Sequence, residues 1–157
     1  MAPKILIVCL GNICRSPIGE AVLRHVAAER GLEIEVDSAG TGDYHVGEWP
    51  DDRAAAVCKK FNVPMKHEAR QVQREDFYEF THLLAADENN LRNLNYVKPK
   101  DATAEIRLWG SYLDGKPISD PYYGNAASGF EQTFHQCVRL SKAFLDSLES
   151  KPSSSNL

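Results

Sequence analysis

The stretch Cys9-Leu10-Gly11-Asn12-Ile13-Cys14-Arg15 sets a thiol and a guanidinium at the two ends of a five-residue loop, and Ser16-Pro17 follows at once. The apolar run at residues 5–8 predicts a strand before the loop, and the residues after it predict a helix. A loop of that length can curl so that successive backbone N–H groups point inward as an anion-binding nest. The positive end of the following helix adds to the same spot. The thiolate is the nucleophilic form of cysteine, and electropositive surroundings favour it. These residues therefore suit a phosphate-like dianion held over a reactive sulfur. Cys9 would attack phosphorus in line. Arg15 would fork two N–H groups onto equatorial oxygens, a geometry lysine cannot supply. Such contacts tighten as the transferring group flattens, which is where catalysis gains. Ser16 would hydrogen-bond the sulfur and help it leave in a second, hydrolytic step. Gly11 permits a turn that a side chain would obstruct, and Asn12 tolerates a left-handed backbone and braces the loop through its amide.

A phosphoenzyme route also needs an acid for the leaving oxygen. Asp120, in Ser119-Asp120-Pro121-Tyr122-Tyr123-Gly124, is the candidate. Alone, Asp-Pro-Tyr reads more readily as a turn. Beside a Cys–Arg loop the acid reading is preferred, with Tyr122 and Tyr123 walling a pocket for a flat ring.

The elements that must position these groups alternate along the chain. Residues 5–8 have the continuous apolar character of a central parallel strand. Ser16 is expected to cap the following helix with Pro17 at its first position, Ile18, Ala21, Val22 and Val26 to form its apolar face, and Gly31 to end it. A second strand is expected at 33–37, running into a loop at Ser38-Ala39-Gly40. Ala54, Val57, Cys58 and Phe61 have helical spacing. Further strands are expected at 81–85 and 104–108, with Asp87 capping a short helix between them. An irregular stretch covers 109–125, and the last helix is expected to open on a capping box of Ser128 with Glu131. Strands alternating with helices predict a doubly wound α/β sheet whose ligand site lies at the carboxyl ends of the strands, where the Cys9 loop falls.

Composition bounds the function. The 157 residues suit one domain, expected over 1–150, with a disordered tail at 151–157. The net charge of −4 argues against a broad basic face for nucleic acid, so an anion site must be local. The N-terminal apolar run is too short to be a secretory segment or to span a bilayer. Four thinly spread cysteines read as reduced, in a cytoplasmic protein. Cys58 and Cys137 fall on apolar helix stripes and read as core. His25, His45, His82 and His135 have no paired spacing and are assigned no role.

Taken together, 8–17, Asp37-Ser38-Ala39, 87–91 and 120–124 resemble the low-molecular-weight protein tyrosine phosphatases over nearly the whole chain. The resemblance implies a four-stranded parallel sheet, order 2-1-3-4, flanked by helices on both faces, and a metal-free, cofactor-free cysteinyl-phosphate mechanism. It implies Cys9 as nucleophile, Arg15 as phosphate clamp and Asp120 as general acid, with Leu10, Gly11, Ile13 and Cys14 lining the loop. Asn12, Ser16, Ser38 and His67 match the network that holds the loop. Tyr122 and Tyr123 match tyrosines at the pocket mouth that can be phosphorylated in relatives. Two regions depart from the common pattern: Gly19, where relatives often have alanine, and the rim at 43–49, where Tyr44 and Trp49 are expected to stack on the substrate ring. Cys14 reads both as a spacer whose N–H serves the nest and as a resolving thiol for oxidised Cys9.

Other readings fit less well. A zinc site on Cys9 and Cys14 would face Arg15 and has no second cysteine pair. A nucleotide P-loop lacks its Gly–Lys–Ser/Thr ending. An arsenate-type reductase would need further cysteines to relay a disulfide. A non-catalytic phosphate-binding module needs neither thiol nor acid. Bacterial relatives acting on phosphoarginine carry threonine where Ile13 stands, and Ile13 favours an aromatic ring. The expectation is a cytoplasmic phosphotyrosine phosphatase, monomer or weak dimer, acting on phosphoproteins and releasing inorganic phosphate, with no nucleic acid or membrane partner.

Overall fold

The computed structural model describes residues 2–123 and 127–150, leaving out the side chains of 123–128. Residues 124–126, where the irregular stretch expected over 109–125 ends, and the tail at 151–157 lie outside the described residues. Strand β1 (Lys4–Cys9) is buried from Ile5 onward. Its side chains alternate between two cores, with Ile5, Ile7 and Cys9 in one and Leu6 and Val8 in the other. That two-residue period, apolar on both sides, suits the middle of a parallel sheet. Strands β2 (Glu35–Gly40), β3 (His82–Ala85) and β4 (Glu105–Leu108) complete one parallel sheet in the order β2-β1-β3-β4. The register sets Cys9 against Gly40 and Val8 against Ala85.

Helices α1 (Arg15–Glu29), α2 (Asp52–Lys60) and α5 (Ala127–Ser150) pack on one another over the first core. The second core is closed by Phe77 of the short α3 (Asp76–Glu79) and by Leu91 and Leu94 of α4 (Glu88–Val97). The single-domain α/β sheet and its strand order agree with the expectation. Helix α1 ends as the sequence predicts. Gly31 has φ +68°, and the N–H groups of Leu32 and Gly31 reach Ala27 O at 2.9 Å and Ala28 O at 3.0 Å, a double closure that favours glycine. Asp87 caps α4 in a reciprocal box with Asn90.

Three local expectations are corrected. Helix α1 opens at Arg15 with Cys14 as its N-cap, so Ser16 lies inside the first turn and its hydroxyl serves the sulfur instead of the helix. Ser38-Ala39-Gly40 continues strand β2 instead of forming a loop. Pairing with Ile7, Val8 and Cys9 overrides the turn propensity of these small residues. Small size is needed there, because a Cβ on Gly40 would stand 2.6 Å from Leu10 O. Finally, α5 opens at Ala127, which puts Ser128 within the helix and not at its cap. The sequence reading also missed α3 and the two 3₁₀ turns, Trp109–Tyr112 and Pro121–Tyr123, that break up the stretch after β4. Among the described residues no helix is long and apolar enough to cross a membrane.

The unusual Gly19 has a packing reason. A Cβ there would meet Trp109 Cζ3 at 2.7 Å and Ile7 Cγ2 at 3.1 Å. Trp109 is fully buried, and its indole N–H finds no partner among the described residues. Gly19 makes room for that ring beneath the helix that supplies Arg15. Gly19→Ala is therefore expected to cost about 1–3 kcal/mol through overpacking. In Trp109→Leu the same alanine should be neutral or stabilising. Urea unfolding of the four-member cycle measures the coupling, and losses that simply add would refute this packing account.

Candidate active site

The phosphate-type loop begins where β1 stops and ends where α1 starts. Its carbonyls are taken from outside: Cys9 O by Thr41 N–H at 2.8 Å, Leu10 O by Gly42 N–H at 3.0 Å, Ile13 O by Asp51 N–H at 2.8 Å and Cys14 O by Ile18 N–H at 3.2 Å. No peptide bond here is cis, and across a trans peptide the N–H points opposite to the C=O. Anchoring those carbonyls outward therefore turns the N–H groups of Leu10, Gly11, Cys14 and Arg15 inward. The N–H of Asn12 also points in, at 3.3 Å from Cys9 Sγ. Together with the open end of the 15-residue α1, they form an anion nest around the sulfur.

Asn12 keeps that curl. Its φ is +60°, the left-handed region in which asparagine is tolerated, and its side chain is buried. The amide oxygen accepts from His67 Nε2–H at 2.6 Å and Arg70 N–H at 3.0 Å, and the amide nitrogen donates to Ser16 Oγ at 2.7 Å and Ser38 Oγ at 3.0 Å. All four of its hydrogen-bonding positions are used, which leaves the amide one orientation. Because Ser16 Oγ accepts from Asn12, its own O–H is free to donate to Cys9 Sγ, 2.9 Å away. The Ser38 hydroxyl donates in turn to Glu20 Oε1 at 2.7 Å. Burial opposes ionisation of Glu20, but hydrogen bonds from His67, Ser38 and Arg24 outweigh it and hold the carboxyl below its ordinary range. Glu20, Asp37 and His67 bring potential metal ligands within 4.8 Å of one another. Arg24 already pairs with Glu20 and Arg70 with Asp37, so the group reads as an ion-pair network behind the loop.

Arg15 is buried. Burial disfavours its charge, yet Cys9, Asp87 and Asp120 more than compensate and hold the guanidinium protonated. One nitrogen donates to Asp87 Oδ2 at 2.7 Å and to Ile118 O at 2.9 Å. The other lies 3.6 Å from Asp120 Oδ2. Asp120 also accepts the Tyr122 N–H at 3.0 Å, an Asp-Pro turn that aims the carboxyl at the cleft. Cys14 is buried beside them, and burial, with Asp51 and Cys9 nearby, raises its thiol well above the usual range. It stays neutral.

Cys9, Arg15, Asp120 and residues 10–14 line one cleft of about 510 Å³, walled by Tyr44, His45 and Tyr122. Ser16, Ser38 and His67 stand behind the loop. Trp49 does not line the cleft; it is 65% exposed. The side chain of Tyr123 lies outside the described residues. Sequence reasoning missed Asp87, taken only as a cap, which follows β3 at the same carboxyl edge of the sheet where Cys9 ends β1. It also missed Glu20 and Arg70, and it set His45 aside although His45 stands over Gly11.

The family described as low molecular weight phosphotyrosine protein phosphatase matches residues 4–154. A low molecular weight phosphotyrosine protein phosphatase of Pongo abelii is 48% identical over 149 residues, covering 91% of this chain and 94% of that protein. Its counterpart from Schizosaccharomyces pombe is 44% identical over 151 residues, covering 92% and 96%. Among solved structures, the Drosophila arginine phosphatase DARP superposes with a TM-score of 0.90 at 34% identity, over 95% of this chain and 99% of that one. With Cys9 and Arg15 in the positions of the family's phosphate loop, the chain belongs to the low molecular weight phosphotyrosine protein phosphatases.

Proposed function

We propose that Cys9, Arg15 and Asp120 carry out phosphotyrosine hydrolysis in two displacements. In the first, Cys9 sulfur bonds to phosphorus as the P–O bond to the aryl oxygen breaks, and Asp120 gives that oxygen its proton. In the second, Asp120 takes a proton from water, the water oxygen bonds to phosphorus, and the S–P bond breaks to release inorganic phosphate. Arg15 and the inward N–H groups hold the equatorial oxygens through both steps, while Ser16 donates to the departing sulfur. The observation that carries this reading is the meeting of a sulfur, a buried guanidinium and a carboxyl in one cleft, from β1, α1 and the turn before α5.

Ile13 with Tyr44 and Tyr122 favours an aryl substrate. The arginine phosphatase among the structural neighbours supplies the second reading, phosphoarginine. On the first reading the substrates are phosphotyrosine proteins. The enzyme works in the cytoplasm as a monomer or weak dimer, needing neither cofactor nor metal and engaging neither nucleic acid nor membrane. Metal-stripped protein assayed on phosphotyrosine, phosphoserine, phosphoarginine and arsenate should favour phosphotyrosine, and faster phosphoarginine turnover would reverse the assignment.

Cys9→Ser should lose on the order of 10⁵-fold in kcat while still binding inorganic phosphate by calorimetry, because the nest and Arg15 remain. Asp120→Ala should lose roughly 10²–10⁴-fold on phenyl phosphate and far less on esters with acidic leaving groups, which need no proton. Equal losses across a leaving-group series would remove Asp120 as the acid. Peroxide should oxidise Cys9 to the sulfenic acid, which condenses with the Cys14 thiol to a disulfide with loss of water. Peptide mass spectrometry checks this, and sulfinic acid accumulating on Cys9 would exclude Cys14 as the resolving thiol.

A further inference from the structure

The cleft wall contains one group that the chemistry above leaves unused. His45 Nδ1 is 3.0 Å from Glu48 Oε2, and its ring is tilted against Tyr122 at a centroid distance of 6.0 Å. The ring edge lies directly over the phosphate loop, so that a Cβ on Gly11 would meet His45 Cδ2 at 3.0 Å and Nε2 at 3.7 Å. Glu48 thus occupies one nitrogen and fixes the ring, while Nε2 makes no hydrogen bond among the described residues. The side chain is 26% exposed, enough to meet a substrate and to be partly shielded from water. The charged and titratable groups around it are Glu48 and Tyr44 on its own loop, Tyr122 from the turn before α5, Arg53 of α2 over that tyrosine ring, and Cys9, Cys14, Arg15 and Asp120 across the cleft.

We propose that His45, oriented by Glu48, is a specificity-determining residue that receives an acidic side chain flanking the phosphotyrosine. The inference rests on the phosphotyrosine reading and deepens it. Arg15 is committed to the phosphate and to Asp87. Glu48 is engaged by the His45 ring, and Arg53 of α2 is paired with Asp51. His45 Nε2 is the donor placed beside the bound ring, and when the imidazole is charged it pairs with a carboxylate next to the phosphorylated residue.

The test compares kcat/KM for paired phosphotyrosyl peptides that differ only by glutamate or glutamine at each of the two positions on either side of the phosphotyrosine. Taking the ratio within each variant cancels any loss common to both peptides. Wild type should favour the glutamate peptide about threefold at one flanking position at pH 5.5, the strength of a partly exposed ion pair. His45→Gln should give a ratio near one at the same pH, and His45→Glu should disfavour the glutamate peptide. A wild-type ratio near one at every position, or a ratio unchanged in both variants, overturns the proposal. Failure of wild type to hydrolyse any of the peptides would fall instead on the phosphotyrosine reading.

Discussion

The site depends on the orientation of one buried amide. The loop must turn through a left-handed residue at Asn12 for its N–H groups to converge, and four hydrogen bonds lock that side chain once the turn is made. A buried amide with any of these positions empty would carry the cost of an unmade hydrogen bond, about 1–3 kcal/mol. The partners come from three parts of the fold: Ser16 from α1, Ser38 from β2, and His67 and Arg70 from the connection before α3. The orientation of the Ser16 hydroxyl toward the Cys9 sulfur follows from the amide, so the reactive group inherits its setting from contacts well behind it.

Charge is distributed by the same logic. A buried guanidinium is costly unless matched, and Arg15 is matched by Asp87 on one side and approached by Asp120 on the other. These carboxylates face the guanidinium, and among the described residues no carboxylate bonds the inward N–H groups or the end of α1. A chain of net charge −4 can thereby present an anion site, since what counts is the field of a few fixed dipoles at close range. Behind the loop, Glu20 and Asp37 are in turn balanced by Arg24, Arg70 and His67.

Much of this was legible along the chain. The alternating strands and helices, the central place of β1, the glycine closure of α1 and the Asp87 cap follow from local periodicity and capping chemistry, which act over a few residues. The nucleophile and its clamp lie six residues apart in one loop, and Asp120 was singled out by its own turn. The misreadings have a common origin. Ser16 and Ser38-Ala39-Gly40 carry the local signals of cap and loop, but sulfur and strand partners distant in sequence claimed them. His45 and Trp49 were ranked by residue type, and the path of the rim placed the histidine over the cleft and the tryptophan outside it.

The sequence by itself determined the loop that sets Cys9 and Arg15 together and the sheet that carries it, because that spacing and the periodicities of strand and helix are local properties of the chain. Only the tertiary structure decided which groups restrain those residues. Asp87 on Arg15 and the chain from Glu20 through Ser38 to Asn12 join side chains separated by 72, 18 and 26 positions. Contacts of that kind arise from packing helices on both faces of the sheet, which no local pattern encodes. The choice of Gly19 belongs with them, since its reason is the Trp109 ring brought against it from beyond β4.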